Sequence, residues 1–163
     1  MIVNKMSRIC IGYGFDIHRI GGERPLRLGG IVIDEEVKVK AHSDGDVVLH
    51  ALIDAILGAL ALGDIGEIFP DNSSFTENMS SVDMLKKVLA VANQRSQFEI
   101  LNLDCTIIMD YPKLLDKKTK IKDNIAHLLE LDPCYVSVKA KTSEGLYPDA
   151  IACQCICLCQ REE

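Results

Sequence analysis

No run of this sequence is long and apolar enough to span a bilayer. Asp46, His50, Asp54 and Asp64 interrupt its most hydrophobic segment, well short of the roughly 18 uncharged residues that a spanning helix needs. A soluble protein that does not engage membranes is expected. The first residues, Met1 to Arg8, lack the apolar core of a secretory signal and the length of an organellar transit peptide, so the expected location is cytoplasmic. A coherent basic patch is missing too. The net charge is -6, and the longest basic cluster (Lys117, Lys118, Lys120 and Lys122) is interspersed with polar residues on a helical pattern, which reads as a solvated face. Nucleic acid is excluded as a partner, because its phosphates demand concentrated positive charge.

The chain also lacks internal repeats, low-complexity tracts and linkers. With 163 residues, 48% of them apolar and 26% charged, it is expected to fold as one domain over residues 1–163 with a real hydrophobic core. A disulfide framework is not expected, since seven cysteines is an odd number in a chain large enough to need no staples. Cys153, Cys155, Cys157 and Cys159 alternate with Gln154, Ile156 and Leu158, which places four thiols on one face of a strand. A thiolate metal cluster competes with this reading. However, same-face neighbours on a strand lie roughly 6.6 Å apart, wide for thiolates sharing one ion, so these cysteines are read as small buried apolar residues.

Strand patterns cover Arg8 to Gly12, Leu26 to Ile33, Leu101 to Met109, Tyr135 to Lys141 and Ala150 to Cys159. Helical periodicity covers Asp46 to Leu62, Val82 to Ala92 and Thr119 to Leu129, with Ser80 or Ser81 as a cap for the second helix. The expected class is α+β, a mixed sheet covered by about three helices. Asp64 to Phe75 and Ser143 to Asp149 read as loops, where binding groups concentrate.

Three of the four histidines fall within 33 residues, each near carboxylates. Asp16 and His18 are two apart on an extended segment, so both side chains point the same way. Asp46, His50 and Asp54 recur every fourth residue of an otherwise apolar helix and form one stripe. A buried or cleft-lining stripe of ionisable groups requires partners. Asp16, His18 and His50 then make a three-ligand set that leaves a tetrahedral zinc ion one open position, with manganese or cobalt as substitutes. Asp46 or Asp54 would orient the second ring nitrogen of His50. The competing reading is a core histidine satisfied by a hydrogen bond. Ser43 and Asp44 are placed to cap the helix, His42 to donate to a phosphate beside it, and His127 has no assigned role.

The stretches GYGFDIHRIGGERPLRLGGIVI and AHSDGDVVLHALIDAILGALALGDIGEIFPD, with TIIMDYPKLL and VKAKTSE further on, closely resemble the 2-C-methyl-D-erythritol 2,4-cyclodiphosphate synthase family of the non-mevalonate isoprenoid pathway. The resemblance implies a homotrimer with sites between adjacent subunits. It implies conversion of 4-diphosphocytidyl-2-C-methyl-D-erythritol 2-phosphate, a CDP-linked small molecule, to the cyclic diphosphate with release of CMP. By the same resemblance zinc sits on Asp16, His18 and His50, while His42 and Thr142 are catalytic. Glu144 holds magnesium or manganese against the diphosphate. Ser43, Asp64, Ile65, Gly66, Phe69, Pro70, Asp71, Asn72 and Ser73 surround the methylerythritol and its phosphate, together with Asp16, His18 and His42. Met109, Asp110, Tyr111, Pro112, Lys113, Leu114 and Leu115, with Lys141 and Thr142, hold the cytidine diphosphate end, and Ser143 and Glu144 also bind substrate. After Glu144 the loop is shorter than the family's and lacks its arginine, and Gln154 replaces the usual glutamate of the next strand. Isoprenoid diphosphates are therefore not expected in a cavity on the threefold axis.

Two other readings fit the residues alone: a metal-dependent nucleotide phosphohydrolase, and a metal-binding scaffold without activity.

Overall fold

The computed structural model describes residues 7–70 and 79–162. In chain order these form β1 (Ser7–Leu28), β2 (Ile31–Lys40), α1 (Val47–Leu60), the single turn α2 (Ile65–Ile68) and α3 (Ser81–Arg95). There follow β3 (Phe98–Ile108), α4 (Lys118–Leu128), a short 3-10 turn at Pro133–Tyr135, β4 (Val136–Lys141) and β5 (Ala150–Glu162). The strands make one five-stranded sheet in the order β2-β1-β5-β3-β4. Only β3 and β4 run parallel, and α4 supplies the crossover that a parallel pair needs. The architecture is the expected α+β class, with one α-helix more than expected because α2 lies inside the Asp64 to Phe75 stretch read as a loop.

Helix α1 is apolar almost all round, and all its residues but Asp54 and Gly58 are buried. It packs on the inward faces of β1 and β5. Those inward faces are unlike each other. On β5 the alternation delivers Cys153, Cys155, Cys157 and Cys159, each fully buried. Cys105 on β3 is the register partner of Cys155 and its Sγ lies 3.1 Å away. On β1 the inward positions are Gly12 and Gly14, where the backbone of α1 comes so close that no Cβ fits.

The stretch Leu26 to Ile33, read as one strand, is divided. Gly29 and Gly30 turn the chain between β1 and β2 with φ of +62° and +85°, a region open to glycine at little cost. Their amides donate to the Asp46 carboxylate at 2.9 and 2.6 Å, and Asn124 of α4 donates to the Gly29 carbonyl at 2.7 Å. The turn is held by tertiary partners, which is why the local apolar run concealed it. The first strand, read as ending near Gly12, instead continues through Asp16 and His18 to Leu28.

Candidate active site

Asp16 and His18 follow Gly14 on the inward face of β1, and His50 occupies the first turn of α1 above them. The close seating of helix on strand brings the three side chains together. Asp16 Oδ2 lies 3.0 Å from His50 Nδ1 and 3.2 Å from His18 Nε2, and the two ring nitrogens are 3.4 Å apart. The rings meet edge to face at 80°. A tetrahedral ion with ligand bonds of about 2.0–2.1 Å has ligand-to-ligand edges of about 3.3 Å. The three donor atoms therefore have the spacing of one tetrahedral face. They are the one group of three metal-capable side chains found among the described residues.

Charge at this point is shared in a defined sense. Burial raises the Asp16 carboxyl, but the hydrogen bond from His50 and the charges of His18 and His50 outweigh it and hold the group below 3.8. For His50 burial lowers the imidazole, yet the hydrogen bond to Asp16 and the charges of Asp16, Asp46 and Asp44 lift it above 6.5. Without a metal both shifts favour the ion pair. The His50 contribution to stability is complete below 6.5 and is lost as pH rises through its raised folded value. The Asp16 contribution is complete above 3.8 and is lost as pH falls through its depressed folded value. This pair should thus stabilise the chelator-treated protein most between these two values. A metal ion must displace the His50 proton, so metal-induced stabilisation should grow as pH rises. Melting curves at about pH 5 and about pH 8, with and without zinc, check this; a zinc-induced shift that shrinks toward the higher pH contradicts it.

The acidic neighbours of His50 on α1 do not orient it, contrary to the sequence-based expectation. Asp46 caps α1, accepting from Val48 and Leu49 amides at 3.1 Å each, and spends its remaining capacity on Gly29 and Gly30. The helix cap is therefore Asp46 rather than Ser43 or Asp44. Asp54 accepts from the Ile65 amide at 2.8 Å and ties α1 to α2; burial raises its carboxyl despite that bond. The partners of His50 Nε2 are hydroxyls: Ser81 Oγ at 2.9 Å and Ser43 Oγ at 3.3 Å.

A cleft of about 580 Å³ opens over these three side chains. It gathers His42, Ser43, Ile65, Gly66 and Phe69 from the expected set, and adds Arg19, Lys40 and Met84, which the sequence reading missed. Arg19 and Lys40 are register partners across β1 and β2, so a pair of cations meets at the rim only once the hairpin is formed. Asp64 is the cap of α2, accepting from the Glu67 amide at 3.0 Å, and Pro70, after the other end of α2, is exposed. Asp71, Asn72 and Ser73 lie outside the described residues.

The remaining expected residues collect elsewhere. Met109, Pro112, Lys113, Leu114, Leu115, Lys141 and Thr142 line a second hollow of about 190 Å³ that shares no residue with the first. Tyr111, joined to Pro112 by a cis peptide bond, is exposed. Asp110 accepts from the Ser143 amide at 2.7 Å and the Ser143 hydroxyl at 2.6 Å, which holds the 143–149 loop against β3. Thr142 Oγ1 donates to the Glu144 carboxylate, and Glu144 itself has a positive φ of 54°. Within one chain, then, Thr142 and Asp16 belong to different hollows, and Glu144 lines neither.

Comparison with known proteins gives a consistent answer. Residues 9–160 match the YgbB family. The chain is 44% identical over 155 residues to a 2-C-methyl-D-erythritol 2,4-cyclodiphosphate synthase of Brachyspira hyodysenteriae, covering 93% of this chain and 98% of that one. It is 45% identical over 137 residues to a bifunctional enzyme IspD/IspF of Nitratidesulfovibrio vulgaris, covering 84% of this chain and 34% of the relative. It thus spans about a third of the length of such bifunctional relatives. Among solved structures, a 2C-methyl-D-erythritol-2,4-cyclodiphosphate synthase in a CDP-bound form superposes with a TM-score of 0.85 at 36% identity, covering 91% of this chain and 99% of the other.

Proposed function

The chain belongs to the YgbB family, and from that membership we propose that it cyclises 4-diphosphocytidyl-2-C-methyl-D-erythritol 2-phosphate to 2-C-methyl-D-erythritol 2,4-cyclodiphosphate, releasing CMP. The observation that carries the reading is the convergence of Asp16, His18 and His50 within 3.0 to 3.4 Å at the floor of a cleft rimmed by Arg19 and Lys40. An oxygen of the 2-phosphate forms a bond to the β-phosphorus, and the bond from that phosphorus to the CMP oxygen breaks. The attacking oxygen is already ionised near neutral pH, so no side chain need act as general base. Repulsion between anions is the barrier to be lowered, and binding that holds nucleophile and electrophile in line supplies much of the rate.

Zinc on Asp16, His18 and His50 would act as a Lewis acid and template for phosphate oxygens. The mixed nitrogen and oxygen donor set and the tetrahedral spacing fit that ion. His42, exposed at the cleft, donates to phosphate oxygen, Ser43 lines the same wall, and Arg19 with Lys40 offsets negative charge at the mouth. Lys141 and Thr142 hold the cytidine diphosphate end in the second hollow. Glu144 would share magnesium or manganese with the diphosphate, whose own oxygens would supply the other ligands.

A homotrimer reconciles the two separate hollows, because a neighbour can bring its Thr142 and Glu144 to this chain's metal cleft. The outward face of β1 supports association. Ile9, Ile11, Tyr13, Phe15 and Ile17 are 45 to 70% exposed there, next to Ile156 of β5 at 48%, an apolar surface that calls for a covering partner. The function is tested by incubating the protein with the CDP-linked substrate, zinc and magnesium, and separating the products. CMP with a cyclic diphosphate is expected; inorganic phosphate would identify a phosphohydrolase instead.

A further inference from the structure

A histidine that ligates a metal through one ring nitrogen has to place its proton on the other, and the group that accepts this proton fixes both tautomer and ring plane. In His50 the nitrogen facing Asp16 and His18 is Nδ1. Nε2 points the opposite way, into the interior, 2.9 Å from Ser81 Oγ. A serine hydroxyl taken alone does not choose a tautomer, because it donates and accepts equally well.

Asp44 removes the ambiguity. Its Oδ2 accepts from the Ser81 amide at 3.0 Å, and its Oδ1 accepts from the Ser81 hydroxyl. An ionised carboxylate only accepts, so the hydroxyl proton of Ser81 is committed to Asp44. What Ser81 Oγ turns toward His50 is a lone pair, and the nitrogen opposite it must carry hydrogen. The proton that a metal displaces is then the one His50 shares with Asp16 through Nδ1, and the lone pair this leaves is directed at the metal position. Ser81 is fully buried and His50 is 9% exposed, so solvent does not substitute readily for this contact. The second hydroxyl near Nε2, that of Ser43, is farther away at 3.3 Å and accepts from the Gly45 amide. The connection also joins separate elements: Ser81 opens α3, Asp44 lies in the segment between β2 and α1, and His50 rides on α1.

We propose that Ser81, oriented by Asp44, is a positioning residue that holds a proton on His50 Nε2 and so makes Nδ1 the nitrogen that binds metal. The inference rests on Asp16, His18 and His50 being the metal site. Outer contacts of this type typically contribute 10–100-fold to metal affinity. Ser81→Ala deletes the acceptor while keeping the amide that donates to Asp44, so the start of α3 remains tethered. Ser81→Thr keeps the hydroxyl. Asp44→Asn removes the obligate acceptor and returns the hydroxyl its freedom.

The test is zinc competition against a chromophoric chelator with wild type, these three variants and His50→Ala, with far-ultraviolet circular dichroism of each metal-free protein. Expected is a dissociation constant raised about 10–100-fold in Ser81→Ala, a smaller rise in Asp44→Asn and recovery of most of the loss in Ser81→Thr, all with a native spectrum. Wild-type affinity in folded Ser81→Ala would overturn the proposal. A second measurement needs no variant: long-range proton–nitrogen correlation on the zinc-loaded wild type should find His50 protonated at Nε2 and metal-bound at Nδ1, and the reverse assignment overturns the proposal. Failure of the metal reading looks different, since wild type and His50→Ala would then bind zinc alike.

Discussion

His50→Ala is expected to lose zinc at stoichiometric concentrations and to lower CMP formation at least about a thousandfold, since a Lewis-acidic ion contributes several kcal/mol to phosphoryl chemistry and about 4 kcal/mol corresponds to that factor. The loss follows from the way the site is shared. Asp16 Oδ2 is 3.0 Å from His50 and 3.2 Å from His18, so His50 contributes one donor of three and also a counter-charge that keeps Asp16 ionised. Two ligands left on β1 hold an ion far less well than three spread over β1 and α1. The fold should survive, because alanine favours helix and the rest of α1 remains buried among apolar neighbours. Metal analysis after gel filtration and a CMP-release assay measure the two effects. Full zinc occupancy in the variant would eliminate the ligand assignment, and lost zinc with undiminished turnover would remove the metal from the reaction.

The three side chains of the candidate metal site were legible in the sequence because two local rules reach them. Strand alternation aligns Asp16 with His18, and helical spacing sets His50 on a defined stripe. Their partners were not legible. Asp46 looked like the natural orienting group for His50, four residues away on the same face. It is instead consumed by the amides of its own helix start and of Gly29 and Gly30, 17 and 16 residues earlier. Ser81 read as a helix cap and nothing more, since its contact with His50 spans 31 residues and exists only when α3 is docked. The extent of β1 was obscured for a different reason. Its large apolar residues, Ile9 to Ile17 at odd positions, face outward, while Gly12, Gly14, Asp16 and His18 face the core. A binary pattern that assigns the apolar set to the interior inverts this strand. The inversion is resolved by α1, whose backbone occupies the space where inward side chains would lie.

That occupancy makes Gly14→Ala a substitution with a large expected effect on the fold and on the site together. A Cβ at Gly14 would stand 1.9 Å from the Ala51 carbonyl oxygen and 2.8 Å from the Ala55 amide nitrogen; at Gly12 the nearest atoms are the Ala55 oxygen at 1.7 Å and the Ala59 nitrogen at 2.5 Å. These are backbone atoms of α1, and no rotamer change relieves them. The helix must lift from β1 by more than an added methylene in a side-chain core would require, where the usual cost is about 1–3 kcal/mol and occasionally more. Against a typical total stability of about 5–15 kcal/mol, such a loss leaves a marginal protein. The site suffers with the fold, because His50 immediately precedes Ala51 and lifting α1 carries Nδ1 away from Asp16. Gly58→Ala supplies the contrast. It lies on the same helix, nothing stands closer than 3.8 Å to its added Cβ, and replacing a helical glycine by alanine should stabilise by about 0.5–1 kcal/mol. Urea unfolding midpoints and zinc affinity for the two variants measure the difference. A Gly14→Ala protein as stable as wild type would mean that α1 does not sit against β1 at this point, and with that seating would go the means by which a strand and a helix assemble one three-ligand site.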